Sequence, residues 1–218
     1  MKQPFFKRLL SYFSDQLIEH TNSEYNEDLY LLLVKGRYQL VTNKVIYSFE
    51  DKYDNFYDAF KKVDLSDKQT CLILGFGLGS IPVMLEKKFN QKISYTGIEI
   101  DEEIIYLASE YVLDELKSPV ELIRADAETF VEINEDLYDL ICVDLFIDDD
   151  IPEQFLQSDF LETCKATLSE KGLLIFNTLY FTNKDRKYST LFFENTFQKT
   201  FPNAKAHHCG NNLMLFSS

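Results

Sequence analysis

From residue 70 onward, short apolar runs alternate with longer amphipathic stretches. Cys71–Leu74, Ser94–Ile100, Val120–Ile123, Leu140–Val143 and Leu173–Asn177 read as strands, and residues 80–89, 102–116, 127–134, 153–168 and 188–199 as helices. Apolar runs joined by helices predict a parallel sheet covered on both faces. The end of the chain breaks that rhythm. Ala204–His208 and Leu213–Ser217 flank a turn containing Gly210-Asn211, which predicts an antiparallel hairpin closing the sheet. Upstream, Phe5, Phe6, Leu9, Leu10, Phe13, Leu17 and Ile18 fall at helical spacing, so a helix is expected within residues 5–20. Leu29–Val34, Tyr38–Val41 and Val45–Phe49, separated by turn-like Lys35-Gly36-Arg37 and Thr42-Asn43-Lys44, predict a small antiparallel meander. Tyr53–Val63 reads as a helix. The expected organisation is an N-terminal unit of residues 1–63 and an α/β domain of residues 64–218.

Composition narrows the partners. With 45% hydrophobic residues over 218 positions, the chain can bury a sizeable core. It carries 36 acidic against 22 basic residues, a net charge of −14. Such a surface repels phosphate backbones and anionic lipid heads, so neither nucleic acid nor a membrane is an expected partner. Lys184–Lys187 is too short a basic run to reverse this. The apolar runs fall short of the ~20 residues that span a bilayer. Lys7 and Arg8 stand where an export signal needs an apolar stretch. Cys71, Cys142, Cys164 and Cys209 are far apart, with no CxxC spacing, and read as reduced residues of a cytoplasmic protein without a metal site.

Only seven glycines occur, yet Gly75, Gly77 and Gly79 fall within five residues. They join the buried run Cys71–Leu74 to a helix start in which Pro82 fits the first turn. Such a turn lets a ligand approach the backbone closely. Ser80 stands where the dinucleotide fingerprint GxGxxG needs its third glycine, which argues against a nicotinamide enzyme. Glu99 lies 24 residues after Gly75 at the next strand end, where a carboxylate can accept both hydroxyl protons of a ribose. Asp101 reads as the cap of the following helix. Asp126 suits either the exocyclic amine of an adenine or another helix cap. Asp144 ends the fourth strand, on the edge where open α/β sheets place their ligands. Asp148–Asp150 reads as a solvated loop or an acidic rim. Together these residues ask for an adenosine-containing ligand.

In these residues the chain resembles the class I S-adenosylmethionine-dependent methyltransferases, and within them the spermidine-synthase-like group, over roughly residues 29–216. The resemblance implies a Rossmann-like sheet of seven strands, mostly parallel, with the small β meander in front of it. It also implies a ligand site made of Gly75, Phe76, Gly77 and Gly79 at the methionine side, Glu99 and Ile100 at the ribose, Asp126 and Ala127 at the adenine, and Asp144. Gln39 is similar to a glutamine that reaches the nucleoside, and Tyr47 to a tyrosine lining the substrate pocket. A homodimer is implied as well, with the aromatic-rich N-terminal segment as the surface to test.

Three departures bear on the reaction. Leu78 stands where spermidine synthases carry an aspartate for the amine of decarboxylated S-adenosylmethionine, and an apolar side chain cannot hold an ammonium. Ile147 replaces the second aspartate of their fourth-strand motif, with Asp148 adjacent. His207-His208-Cys209-Gly210 replaces a proline-rich stretch. The expectation is therefore methyl transfer from S-adenosylmethionine to a small acceptor, cationic or neutral, with Asp144 as base or amine-orienting group and Tyr47 and Asp148 as second choices. The alternatives are aminopropyl transfer from the decarboxylated form and a non-catalytic protein that binds an adenosyl ligand. His207 and His208, adjacent on a strand, cannot both face a pocket. Phe146, Tyr180 and Phe181 follow strand ends and are candidates for its wall.

Overall fold

The computed structural model describes residues 4–43, 45–147 and 150–218. A short helix α1 (Phe5–Leu10) leads into a four-stranded antiparallel sheet of β1 (Gln16–Thr21), β2 (Leu29–Val34), β3 (Arg37–Val41) and β4 (Ile46–Ser48), in that order. The helix expected within 5–20 thus stops at Leu10. Residues 16–21 pair with Leu29–Leu33 instead, through a bulge between Leu17 and Glu19. In β2 the burial alternates strictly, so Leu29, Leu31 and Leu33 face the core. Lys35 (φ +50°) and Gly36 (φ +80°) make the tight turn into β3.

Helix α2 (Asp54–Phe60) then leads to the larger sheet. Its elements are β5 (Thr70–Leu74), α3 (Ser80–Phe89), β6 (Ser94–Glu99), α4 (Glu102–Tyr111), β7 (Val120–Arg124), α5 (Ala127–Ile133), β8 (Tyr138–Val143), α6 (Ser158–Ala166), β9 (Leu168–Leu179), α7 (Asn183–Phe192), β10 (Lys205–Cys209) and β11 (Asn212–Phe216). The strand order is β10-β11-β9-β8-β5-β6-β7, with β7, β6, β5, β8 and β9 parallel and β11 antiparallel to both of its neighbours. This is the expected α/β architecture. Central β5 has β8 on one side and β6 on the other, so connections leave it in opposite directions and open a crevice at its carboxyl end.

Two core clusters cover the two faces of the large sheet. One of them joins Leu29, Leu31, Leu33 and Leu40 of the small sheet to Cys71, Ile73 and Met214 of the large one. The two sheets therefore share a core. Polar groups reinforce the seam. Glu50 accepts from the Tyr38 backbone N–H at 2.7 Å and pairs with Lys87 of α3 at 2.9 Å, while Asp51 pairs with Arg37 and, at 2.9 Å, with Lys88. The Ser48 and Ser80 hydroxyls meet at 2.6 Å, and the Phe49 N–H donates to Ser80 Oγ at 3.0 Å. The fingerprint position that lacks glycine thus fastens the small sheet to the start of α3.

Candidate active site

A cavity opens at the carboxyl ends of β5, β6, β7 and β8, beneath β4 and the segment leading to α2. Gly75 and Gly77 line its floor, and with Gly79 just beyond it they all have positive φ, of 85°, 55° and 82°. Gly75 is the tightest point. A Cβ there would lie 2.2 Å from the backbone oxygen of Asp144. The glycine turn and the end of β8 are thus in direct main-chain contact, reinforced by the Asp144 N–H donating to the Leu74 oxygen at 2.8 Å. Phe76 lines the cavity with its ring packed against Gly97 and Gly79, leaving no room for a side chain at Gly97, where a Cβ would meet the ring at 2.3 Å.

Glu99 is 9% exposed and accepts N–H bonds from Gly77 at 3.0 Å, Ile100 at 2.9 Å and Asp101 at 3.2 Å. It ties the glycine turn to the end of β6. Burial nevertheless outweighs these donors and pushes its carboxyl above the ordinary value. Asp101 caps α4 by accepting from the Glu103 N–H, and also accepts from Ser23 Oγ and from Asn26 Nδ2 at 2.8 Å. The segment between β1 and β2 is thereby held over the cavity, which Tyr25 and Asn26 help to line. Sequence reasoning missed this roof, although its polar Asn22, Ser23 and Asn26 are turn-forming residues. Asp126 lines the cavity beside Ala127, and its Oδ1 caps α5 through Thr129.

Asp144 follows β8 directly and stands partly exposed in the cavity. Asn177 of β9 donates to its Oδ1 at 2.8 Å, and the Tyr53 hydroxyl forms a second hydrogen bond to it. Burial dominates, and with the Glu99 charge it pushes the carboxyl from 3.8 up to about 6 despite those two bonds. The Tyr53 hydroxyl is itself raised well above its usual range by burial and by the Asp144 charge. Neither Tyr53 nor Asn177 was picked out from the sequence. Asn177 did leave a signal, as a polar residue ending the apolar run Leu173–Phe176, where a buried amide needs a partner.

The other sequence candidates fall into two groups. Tyr47, Ile100 and Phe146 line the cavity, with Ser48, Ser80, Leu145, Ile147 and Phe155. Gln39, Gly79, Tyr180, Phe181, His207 and His208 are not among its lining residues. Gln39 is buried in the small sheet opposite Leu32, His207 packs edge-on against Phe216, and His208 lies against Tyr180. Asp148 lies outside the described residues.

No family model matches the chain. A probable polyamine aminopropyl transferase of Bifidobacterium longum is 33% identical over 124 residues, covering 56% of this chain and 27% of that protein. A polyamine aminopropyltransferase of Vibrio vulnificus is 26% identical over 147 residues, covering 66% and 48%. The chain thus spans at most about half the length of these relatives. Among solved structures, spermidine synthase from Thermotoga maritima superposes with a TM-score of 0.70 at 15% identity, covering 92% of this chain and 72% of that one. Human methyltransferase-like protein 13, in complex with SAH, gives 0.56 at 23% identity, covering 70% and 72%. The fold is therefore that of the class I methyltransferase sheet. Within that class, the resemblance is to the spermidine-synthase-like group.

This overturns the expectation of methyl transfer, because the curated relatives carry names of aminopropyl transfer. The structure supplies the physical reason that the Leu78 argument misled. Leu78 is 2% exposed, belongs to the shared hydrophobic core and is not among the cavity-lining residues. Its apolar side chain therefore says nothing about which charges the cavity accepts.

Proposed function

We propose that this protein transfers the aminopropyl group of decarboxylated S-adenosylmethionine to a small amine. The charge of the cavity carries the reading. Glu99, Asp101, Asp126 and Asp144 line it, and among its described lining residues there is no Lys, Arg or His. A sulfonium carrying a free ammonium, and an amine acceptor, both suit such a lining. The α-carboxylate of S-adenosylmethionine itself would enter it without a side-chain cation to meet it, a desolvation cost of several kcal/mol on the order expected for an unpaired ion. The names of the curated relatives point the same way.

In this reading, Glu99 keeps acceptor capacity on Oε2, which takes only the Gly77 bond, for a ribose hydroxyl, and Asp126 with Ala127 faces the adenine. Gly75 and Gly77 let the sulfonium end lie close to the main chain. The acceptor amine must be neutral to attack. Asp144, poised near pH 6, takes a proton from its ammonium form. The nitrogen lone pair then forms a bond to the propyl carbon attached to sulfur. The C–S bond breaks, sulfur keeps its electron pair, and a methylthioether of adenosine leaves. Tyr53 and Asn177 orient Asp144, and Tyr47 flanks the acceptor. The polar ligands and reduced cysteines fit a cytosolic setting.

The test is incubation of purified protein with decarboxylated or intact S-adenosylmethionine and a panel of mono- and diamines, with products separated by chromatography. Formation of 5′-methylthioadenosine and an aminopropylated amine from the decarboxylated donor alone is the expected result. Formation of S-adenosylhomocysteine from the intact donor, or binding of the adenosyl compounds without turnover of any amine, would sink the proposal.

A further inference from the structure

Asp144 is held by a longer chain of polar groups than the cavity itself contains. Asn177 donates through Nδ2 to Asp144 Oδ1 at 2.8 Å, and its own Oδ1 accepts from Asn212 Nδ2 at 2.9 Å. Asn212 opens β11, just after the Gly210-Asn211 turn, and is not a cavity-lining residue. Its backbone sits in register opposite Leu179 of β9 and Cys209 of β10. The pairing of β11 at that position is made by its backbone, not by the Asn212 side chain.

An amide group is almost symmetric in shape and strongly asymmetric in chemistry. Rotated by half a turn, Asn177 would present a carbonyl oxygen to Asp144, an arrangement that only a protonated carboxyl can satisfy. An amide nitrogen donates and does not accept, so Asn212 Nδ2 can pair only with the oxygen of Asn177. Asn177 is 1% exposed, so water does not compete for that choice. We infer that Asn212 is a positioning residue that acts through Asn177, fixing the amide so that its N–H donors face Asp144 and the ionised, proton-accepting form of that carboxylate is favoured. The inference takes Asp144 as the base of the proposed transfer, but the titration of Asp144 can be measured without any transfer.

The other titratable groups around Asp144 act independently of this relay. They are the Tyr53 hydroxyl ahead of α2, Glu99 at the end of β6, Cys142 two residues earlier on β8, and Tyr47 of β4 in the same cavity. Of these, Glu99 opposes ionisation of Asp144 through its charge and Tyr53 assists it through its hydrogen bond. Removing Asn212 leaves all four in place.

The experiment follows the side-chain carboxyl 13C resonances of aspartate-labelled protein from pH 4 to pH 9, with Asp144 assigned by its loss in Asp144→Asn. Asn212→Ala is expected to move the Asp144 midpoint upward by about half a pH unit or more, roughly a threefold gain in proton affinity. Asn212→Gln keeps an amide donor at a half-exposed position and is expected to return the midpoint to the wild-type value. Asn177→Leu, which removes the donor itself, should shift it at least as far as Asn212→Ala. A folded Asn212→Ala protein with an unchanged midpoint overturns the inference. Should that variant fail to fold, an unchanged midpoint in Asn177→Leu does the same. If wild-type protein transfers no aminopropyl group, the proposed function falls while these midpoints still decide the role of Asn212. If it does, the acid limb of its pH–rate profile moves with them.

Discussion

Asp144→Asn is expected to cut aminopropyl transfer by roughly 10²–10⁴-fold, the range ordinarily lost with a general base, and at the same time to stabilise the fold. The second effect follows from the first group's burial. The Asp144 carboxyl titrates near pH 6 in the folded protein against an ordinary value of 3.8. A carboxyl raised on folding binds its proton more tightly in the native state, so native stability is greatest below the ordinary value and falls as pH rises through the folded one. The gap corresponds to about 3 kcal/mol lost between roughly pH 4 and pH 6.5. Asparagine keeps the shape and can still accept from Asn177, but has nothing to ionise. Urea unfolding of wild type and variant should therefore give similar stabilities near pH 4, and a variant more stable by about 2–3 kcal/mol at pH 7.5. Equal stabilities at both pH values would show that Asp144 is not desolvated in the folded protein, and the assignment of base would lose its physical support.

The other large effect concerns the glycine turn. Gly75→Ala is expected to abolish binding of adenosyl ligands and to destabilise the protein by several kcal/mol, about 1 from the left-handed backbone at φ +85° and the rest from displacement. A methyl group there would sit 2.2 Å from the Asp144 oxygen and 2.9 Å from its carbonyl carbon. Both are main chain, so the end of β8 must move, and the carboxylate with it. Gly77→Ala provides the internal comparison. Its φ of 55° is also left-handed, but the added carbon would meet only Ser48 and the Tyr47 oxygen at 3.7–3.8 Å, ordinary contact distances. It should cost about 1 kcal/mol and leave the protein folded. Calorimetric titration with 5′-methylthioadenosine and thermal unfolding of both variants test the ranking. Comparable losses for the two substitutions would mean that backbone conformation, not contact with Asp144, sets the requirement for glycine.

Much of this architecture was legible because its signals are local. Buried parallel strands give continuous apolar runs, and the helix read at 80–89 is found at those residues. The acids at strand ends could be found because a parallel sheet delivers its ligands there. Failures occurred where two structures share one pattern. Leu17 and Ile18 satisfy a helical stripe and a bulged strand equally, and only pairing with β2 decides between them. Helix α7 begins five residues before the expected position, because Asn183–Lys187 has no apolar periodicity. The capping box of Thr182 and Asp185 was the available signal there. Side-chain direction within a loop has no periodicity at all. Leu78 could be aligned with an acidic position of other proteins but not aimed, and its burial in the core was invisible. Tyr53 had the same difficulty, since nothing in its neighbourhood marks it as the partner of a residue 91 positions away.

The acid-lined cavity has a further consequence for the time course of an encounter. A chain with net charge −14 surrounds itself with a potential that draws polycations from a distance, and a low-dielectric cleft concentrates that field at its mouth. At physiological ionic strength the field is screened within ~8 Å, so only the carboxylates of the cleft itself still guide an approaching amine. For the proposed transfer, capture of a cationic acceptor is expected to be fast in dilute buffer and to slow as salt is added. The same field that hastens arrival is expected to retard the departure of the proposed product, which bears one more ammonium group than the acceptor.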